Sequence, residues 1–162
     1  MNTALRITLI GLALLGSSAA IRAEGFELIT AEEARQEAQA AAAAPREVRT
    51  RGLPAVKAGQ PAIEVVTPTV AGDAVNAPVR IEAAFRPAPG TRIVPSTFRV
   101  LYGLLKIDLT DRLKKHATVT ERGVVVDQAR VPAGQHRLIL QVADDQGNTA
   151  EQELRLRVGA AS

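Results

Sequence analysis

Cysteine and tryptophan are absent from the chain, and its aromatic complement is one tyrosine and three phenylalanines. Without cysteine there is no disulfide framework and no thiolate, so stability has to come from an ordinary apolar core. Two histidines and no cysteine supply a transition-metal site poorly. Phe85, Phe98 and Tyr102 all fall at core parity in their strands, which leaves no aromatic platform against which a sugar ring would stack. Serine is scarce after residue 23: Ser96 lies in Val-Pro-Ser-Thr, with no nucleophile elbow, and Ser162 is terminal. Val70-Ala71-Gly72-Asp73 and Arg86-Pro87-Ala88-Pro89-Gly90-Thr91 lack both the spacing and the lysine of a phosphate loop. No apolar run reaches the ~20 residues of a membrane span. These absences argue against enzymes with a serine or cysteine nucleophile and against nucleotide-binding, lectin-like and membrane-spanning classes.

What is present begins with a tripartite start. Arg6 is followed by an apolar run from Ile7 to Gly16 and by the small-residue tract Ser17-Ser18-Ala19-Ala20. That is the pattern of a secretory signal peptide over residues 1–23, with cleavage expected after Ala23 and a second possible point after Ala20. Export to the periplasm or beyond follows. With no cysteine to carry a lipid, no stable membrane insertion is expected once the signal is removed. Arg6 and Arg22 leave with it, so the formal net charge falls from +3 to +1, and no basic cluster remains that would read as a nucleic-acid surface.

Residues 24–62 read as an Ala-rich helix and a linker. Thr30 and Glu33 have the Thr-x-x-Glu spacing of a capping box, Ala31 to Ala44 are nearly all strong helix formers, and Pro45 ends the run. The best face available, Ala31, Ala34, Ala38 and Ala41 or Ala42, offers only methyl groups. At roughly 25 cal/mol per Å² these bury too little to dock firmly, so the helix is expected to be loosely attached or free. Arg46, Arg49, Arg51 and Lys57 then lie among prolines and glycines with no apolar period. The acidic helix followed by a basic strip is read as solvated sequence.

From Ile63 the pattern becomes short β-branched runs separated by Pro and Gly at spacings of about ten residues, as in an all-β sandwich over 63–162. Strands are predicted at 63–67, 79–85, 97–102, 116–120, 124–131, 135–144 and 148–158. Alternation turns Val79, Ile81, Ala83 and Phe85 inward, with Phe98, Val100 and Tyr102, Leu138, Leu140 and Val142, and Leu154, Leu156 and Val158. Asp108 to Lys115 suggests one helical turn with acid first and bases last. Asp108 and Asp111 are read there as helix-start residues, not as a catalytic pair.

The stretch Gly134 to Asn148 holds His136 and the only Asp-Asp pair, Asp144 and Asp145. If Asp145-Gln146-Gly147 is a three-residue hairpin loop, Gly147 takes the position that needs positive φ. Asp144 then faces Asn148, Val142 faces Ala150, Leu140 faces Gln152, Leu138 faces Leu154 and His136 faces Leu156. The same device is expected at Glu121-Arg122-Gly123. Asp144, Asp145 and Asn148 offer oxygens to calcium, but that ion takes about six to eight, and a second loop such as Asp108 to Asp111 would have to contribute. His136 is expected to be buried or half-buried with a satisfied nitrogen, reaching back to the corner that precedes its strand. His116, beside Lys114 and Lys115, is expected on the surface.

"PAGQHRLILQVADDQGNTAEQELRLRV", with "NAPVRIEAAF" upstream, resembles the opening and closing strands of bacterial immunoglobulin-like domains found on envelope and secreted proteins. The resemblance runs from about Ile63 to Val158 and implies a seven-stranded antiparallel immunoglobulin-like β-sandwich. The helical insert after Tyr102-Gly103 departs from the commonest pattern. Membership implies a non-enzymatic binding or structural module that contacts another envelope or secreted protein, through its Ala-rich helix or by strand addition at a sheet edge. It transfers no functional residue: no catalytic, cofactor or metal residue is assigned. The competing reading is a periplasmic sandwich that binds calcium or copper. Copper proteins of that architecture place a histidine at the mature amino terminus or cluster methionines, whereas here the terminus would read Glu24-Gly25-Phe26 and the sole methionine is Met1. Mass spectrometry of the protein recovered from an envelope fraction is expected to show a chain beginning at Glu24, or at Ile21 if the earlier point is used. An intact Met1 would overturn the export reading.

Overall fold

A computed structural model describes residues 25–45, 59–68 and 74–160. The expected signal peptide, both cleavage points and most of the linker lie outside the described residues. Among the described residues there are ten strands: β1 (Phe26–Glu27), β2 (Ala62–Thr67), β3 (Ala74–Val75), β4 (Val79–Arg86), β5 (Ile93–Tyr102), β6 (Ile107–Asp108), β7 (Ala117–Thr120), β8 (Gly123–Arg130), β9 (Gly134–Asp144) and β10 (Thr149–Val158). Two helices accompany them, α1 (Ala31–Ala43) and α2 (Thr110–Lys114).

The strands form a two-sheet sandwich. One sheet runs β2-β4-β8, with β7 and β1 both on the far edge of β8, and the other runs β3-β10-β9-β5-β6. All seven predicted strands are present, but the count of seven is corrected to ten. The three additions, β1, β3 and β6, are two residues each, too short to show any alternation in the sequence. Nor is the sandwich purely antiparallel, since β1 pairs with β8 and β3 with β10 in parallel.

Every residue predicted to face inward is buried, and Phe98, Val100, Leu138 and Val142 are sealed from solvent. The β9–β10 hairpin has the predicted register throughout, from Val142 opposite Ala150 to His136 opposite Leu156. The β7–β8 hairpin differs by one residue. Thr120 pairs with Gly123, so the loop is the two residues Glu121 and Arg122. Gly123 is needed for another reason: a Cβ there would lie 2.2 Å from the Ala83 carbonyl oxygen of the adjoining strand. In β5, Pro95 interrupts the ladder with β9, and the Thr97 hydroxyl fills the gap by accepting from the Ala143 amide at 2.9 Å and donating to the Val94 carbonyl at 2.6 Å.

The expected helix forms with its capping box closed, Glu33 N donating to Thr30 Oγ1 at 3.1 Å and Thr30 N to Glu33 Oε2 at 2.8 Å. It is not loosely attached. Among its alanines Ala34 packs against the core, and three other contacts hold it. Leu28 and Ile29, just before the cap, are completely buried and join the main core. Arg112 on α2 forks onto Glu33 at 2.9 and 3.0 Å and also donates to the Leu28 carbonyl at 2.8 Å. Glu37, buried in the middle of the helix, accepts from the Leu104 amide at 2.7 Å and the Leu105 amide at 3.3 Å, in the turn between β5 and β6. A carboxylate receiving two peptide N–H groups is a charge-assisted contact, worth roughly twice a neutral hydrogen bond.

Gly103 makes this clamp possible. Its φ is +67°, and a Cβ would stand 2.0 Å from Glu37 Cδ. Gly103→Ala is therefore expected to destabilise the protein by about 1–3 kcal/mol and to free α1 while the sandwich persists. Hydrogen exchange checks this: amides of α1 should exchange faster in the variant, with β4, β8 and β9 unchanged. Equal protection of α1 would show that the clamp does not hold the helix.

Candidate functional site

The two polar groups that stand out in the sequence sit at opposite ends of β9. His136 and Asp144 are eight positions apart on one strand, which separates them by about 26 Å. They do not meet, and each is absorbed by its own end of the sandwich.

His136 opens the strand in the inward row and is 6% exposed. Its Nε2 lies 2.8 Å from the Pro132 carbonyl oxygen, which can only accept, so Nε2 carries the proton. Nδ1 is then the acceptor for the Tyr102 hydroxyl at 2.9 Å. The imidazole thus fastens the corner Val131–Gly134 to its own strand and anchors the end of β5. Burial disfavours its cationic form and lowers its pKa, against a smaller opposing effect of the Pro132 carbonyl. Burial likewise pushes the Tyr102 hydroxyl up to about 12, with the negative charges of Glu37 and Glu33 adding to it. A hydroxyl beside an imidazole looks like a nucleophile and its base. Here the phenol is made a weaker acid and the imidazole a weaker base, the reverse of activation.

Asp144 closes the strand and is 3% exposed. Its Oδ1 accepts from the Gln146 amide at 3.0 Å and the Asn148 amide at 2.8 Å, and Oδ2 from the Asn148 side chain at 2.9 Å. These donors, led by the Asn148 side-chain amide, hold its carboxyl below the usual range against the opposing effect of burial. Gly147 takes φ +83° in the turn. Asp145 is paired with Arg92 in both directions, its own amide to the Arg92 carbonyl at 2.9 Å and the Arg92 amide to its Oδ1 at 3.2 Å. Asp144 therefore faces N–H donors, and an incoming cation would have to displace them. Among the described residues, no three of His, Cys, Asp and Glu are grouped to hold a metal ion.

The remaining residues singled out in the sequence lie apart. Asp108 accepts from the Thr110 amide at 2.9 Å and from Arg99 at 2.7 Å, and these contacts lower its carboxyl to about 2, Arg99 first. Asp111 is exposed on α2, and Ser96 is exposed on β5. His116 is exposed and stacks on Phe26, ring centroids 4.2 Å apart.

A cleft of 510 Å³ lies where α1 passes over the ends of β9 and β10. Its helix side carries Ala34, Ala38 and Ala41, and its sheet side Gln135, Arg137, Arg155 and Arg157, with Tyr102 and His136 among the lining residues. Of the alanines on this face, Ala34 packs against the core, while a gap stays open beyond the Glu37 clamp. Sequence reasoning missed Glu37, Gly103 and the role of Leu28 and Ile29. Glu37 had a signal: it lies within the Ala34, Ala38, Ala41 stripe, where a solvent-facing acid does not belong. Leu28 and Ile29 also had one, as bulky apolar residues immediately before a capping box.

The His136 environment sets a pH dependence. Its proton affinity is lower folded than unfolded, so the unfolded chain takes up more protons and stability falls as pH drops through the unfolded value of about 6.5. Urea unfolding from pH 7.5 to 5.5 is expected to show that decline in the native chain. His136→Gln should be less stable at pH 7.5 by about 1–3 kcal/mol, because Tyr102 and Pro132 lose a partner, and should lack this slope. Parallel pH profiles for both chains would assign the slope elsewhere.

No family model matches the chain, and no curated protein does. Among solved structures it is similar to CopC from Methylosinus trichosporium OB3b, with 16% identity, a TM-score of 0.42, and coverage of 62% of this chain and 96% of that one. A likeness that loose carries no argument about ligand or role.

Proposed function

We propose that this chain is an exported, non-enzymatic sandwich module of the cell envelope that works by contact with another envelope or secreted protein. One observation carries the reading: among the described residues, no buried side-chain polar atom lacks a hydrogen-bond partner. Active sites and metal centres keep reactive groups in reserve, partly satisfied until substrate or ion arrives. Here Tyr102, His136, Asp144, Thr110 and Glu37 are all engaged in holding strands, corners and the helix. What is left for recognition is exterior surface. No described helix is long and apolar enough to cross a membrane.

The second reading is a sandwich that binds calcium or copper, and it is favoured only by the oxygen atoms around the β9–β10 turn. A metal present at a hundred times its dissociation constant would add about 2.7 kcal/mol of stability. The expected result is a melting temperature unchanged by calcium, copper, zinc or chelator. A rise of several degrees with any one ion would favour the metal reading instead. For the contact reading, affinity capture from an envelope extract with the mature chain as bait is expected to recover one protein in near-stoichiometric amount. Recovery of none would overturn it.

A further inference from the structure

The cleft under α1 has a shape and charge that fit one kind of occupant. Its volume lies within the range of about 300–1,000 Å³ typical of binding pockets. Small apolar groups, Ala34, Ala38 and Ala41, line the helix side, next to Leu104 of the β5–β6 turn. On the sheet side, Arg155 and Arg157 project from the same face of β10, two residues apart, so their stems are spaced by about 7 Å. Arg155 is paired with Glu153 but leaves 60% of its side chain exposed. Arg157, one step further along, lies opposite Gln135 and not a carboxylate, and among the described residues no ion pair involves it.

An extended peptide repeats its side chains on one face at the same interval, about 6.6–7 Å for alternate residues. A strand with carboxylates at alternate positions would set them against the two guanidinium groups, and its intervening small side chains would point to the alanine wall. Gln135 offers an amide to the strand's backbone. A single acyl chain suits this wall less, because Tyr102, His136 and Gln135 place polar groups along the floor. The basic strip Arg46 to Lys57 of this same chain is excluded by its charge.

Resting on the contact reading above, we propose that the cleft between α1 and β9–β10 is the docking groove for an extended, acidic segment of the partner protein, read by Arg155 and Arg157.

The test uses the full mature chain and a fluorescein-labelled octapeptide of alternating glutamate and alanine, followed by fluorescence anisotropy. A glutamine-for-glutamate octapeptide and vesicles of phosphatidylglycerol serve as comparisons. The acidic octapeptide is expected to bind, and its glutamine counterpart to bind at least about tenfold more weakly. Arg155→Gln and Arg157→Gln should each weaken binding severalfold, and added salt should do the same. Ala38→Trp, at an exposed helix position, should fill the groove and abolish binding while leaving the melting temperature within a few degrees of native. Equal affinity for the two peptides, affinity untouched in the arginine variants, or binding to vesicles without binding to the acidic peptide would each overturn the proposal. A captured envelope protein that binds the Ala38→Trp chain as tightly as the native one would also overturn it, yet leave the contact reading standing. Failure to capture any partner would remove the contact reading itself.

Discussion

The structure depends on the inner row of β9: His136, Leu138, Leu140, Val142 and Asp144. Its three middle members are apolar and sealed, and its two ends are polar and buried. The apolar middle fixes which face of the strand points inward, since a slip of one residue would move the whole row to solvent. The polar ends fix where the strand stops, because each is satisfied only if its own corner or turn closes onto it. Strand β9 lies between β5 and β10, so one row sets two ladders at once. Tyr102 from β5 reaches His136, and the Asn148 amide at the start of the returning strand reaches Asp144.

A second constraint ties the helix to this frame. The helix has too little apolar surface to bury, and it is held by directional contacts instead: the capping box, the Arg112 fork and the Glu37 clamp. Directional contacts fix position without filling volume. That is why the helix is docked firmly along its first two turns and leaves a gap beneath its last two. In an apolar docking the same gap would have collapsed.

Much of the architecture is legible in the residues alone, for identifiable reasons. Strands of several residues with strict alternation, such as Val79 to Phe85, declare both their type and their buried face. Thr30 with Glu33 declares a helix start, and Gly147 in a three-residue loop declares the β9–β10 register. What was not legible depends on distant chain segments meeting. Phe26–Glu27, Ala74–Val75 and Ile107–Asp108 become strands only because a neighbour offers hydrogen bonds, and two residues carry no period. The helix docking was missed because hydrophobic area alone was weighed, and the decisive partners, Arg112 and the Leu104 and Leu105 amides, lie some 70 to 80 residues away in sequence. The one-residue difference at Gly123 has a similar origin: the glycine answers to the backbone of β4, not to its own turn. Of the candidate site, the satisfied state of His136 and of the aspartate pair was readable from their places in the strand and loop, whereas the cleft was not, because it is a space left between elements.

The short parallel pieces have a further consequence. An open sheet rim offers unpaired peptide groups to any passing chain and so invites runaway stacking between molecules. Here β1 continues the rim of β8 where β7 ends, and β3 closes the last residues of β10. The rim of β2 is guarded otherwise, by the Glu64–Arg86 ion pair, by an irregularity between Val65 and Thr67, and by Pro68 at its end. Segments that look like leftovers of the chain thus occupy peptide groups of the rim that would otherwise stand open.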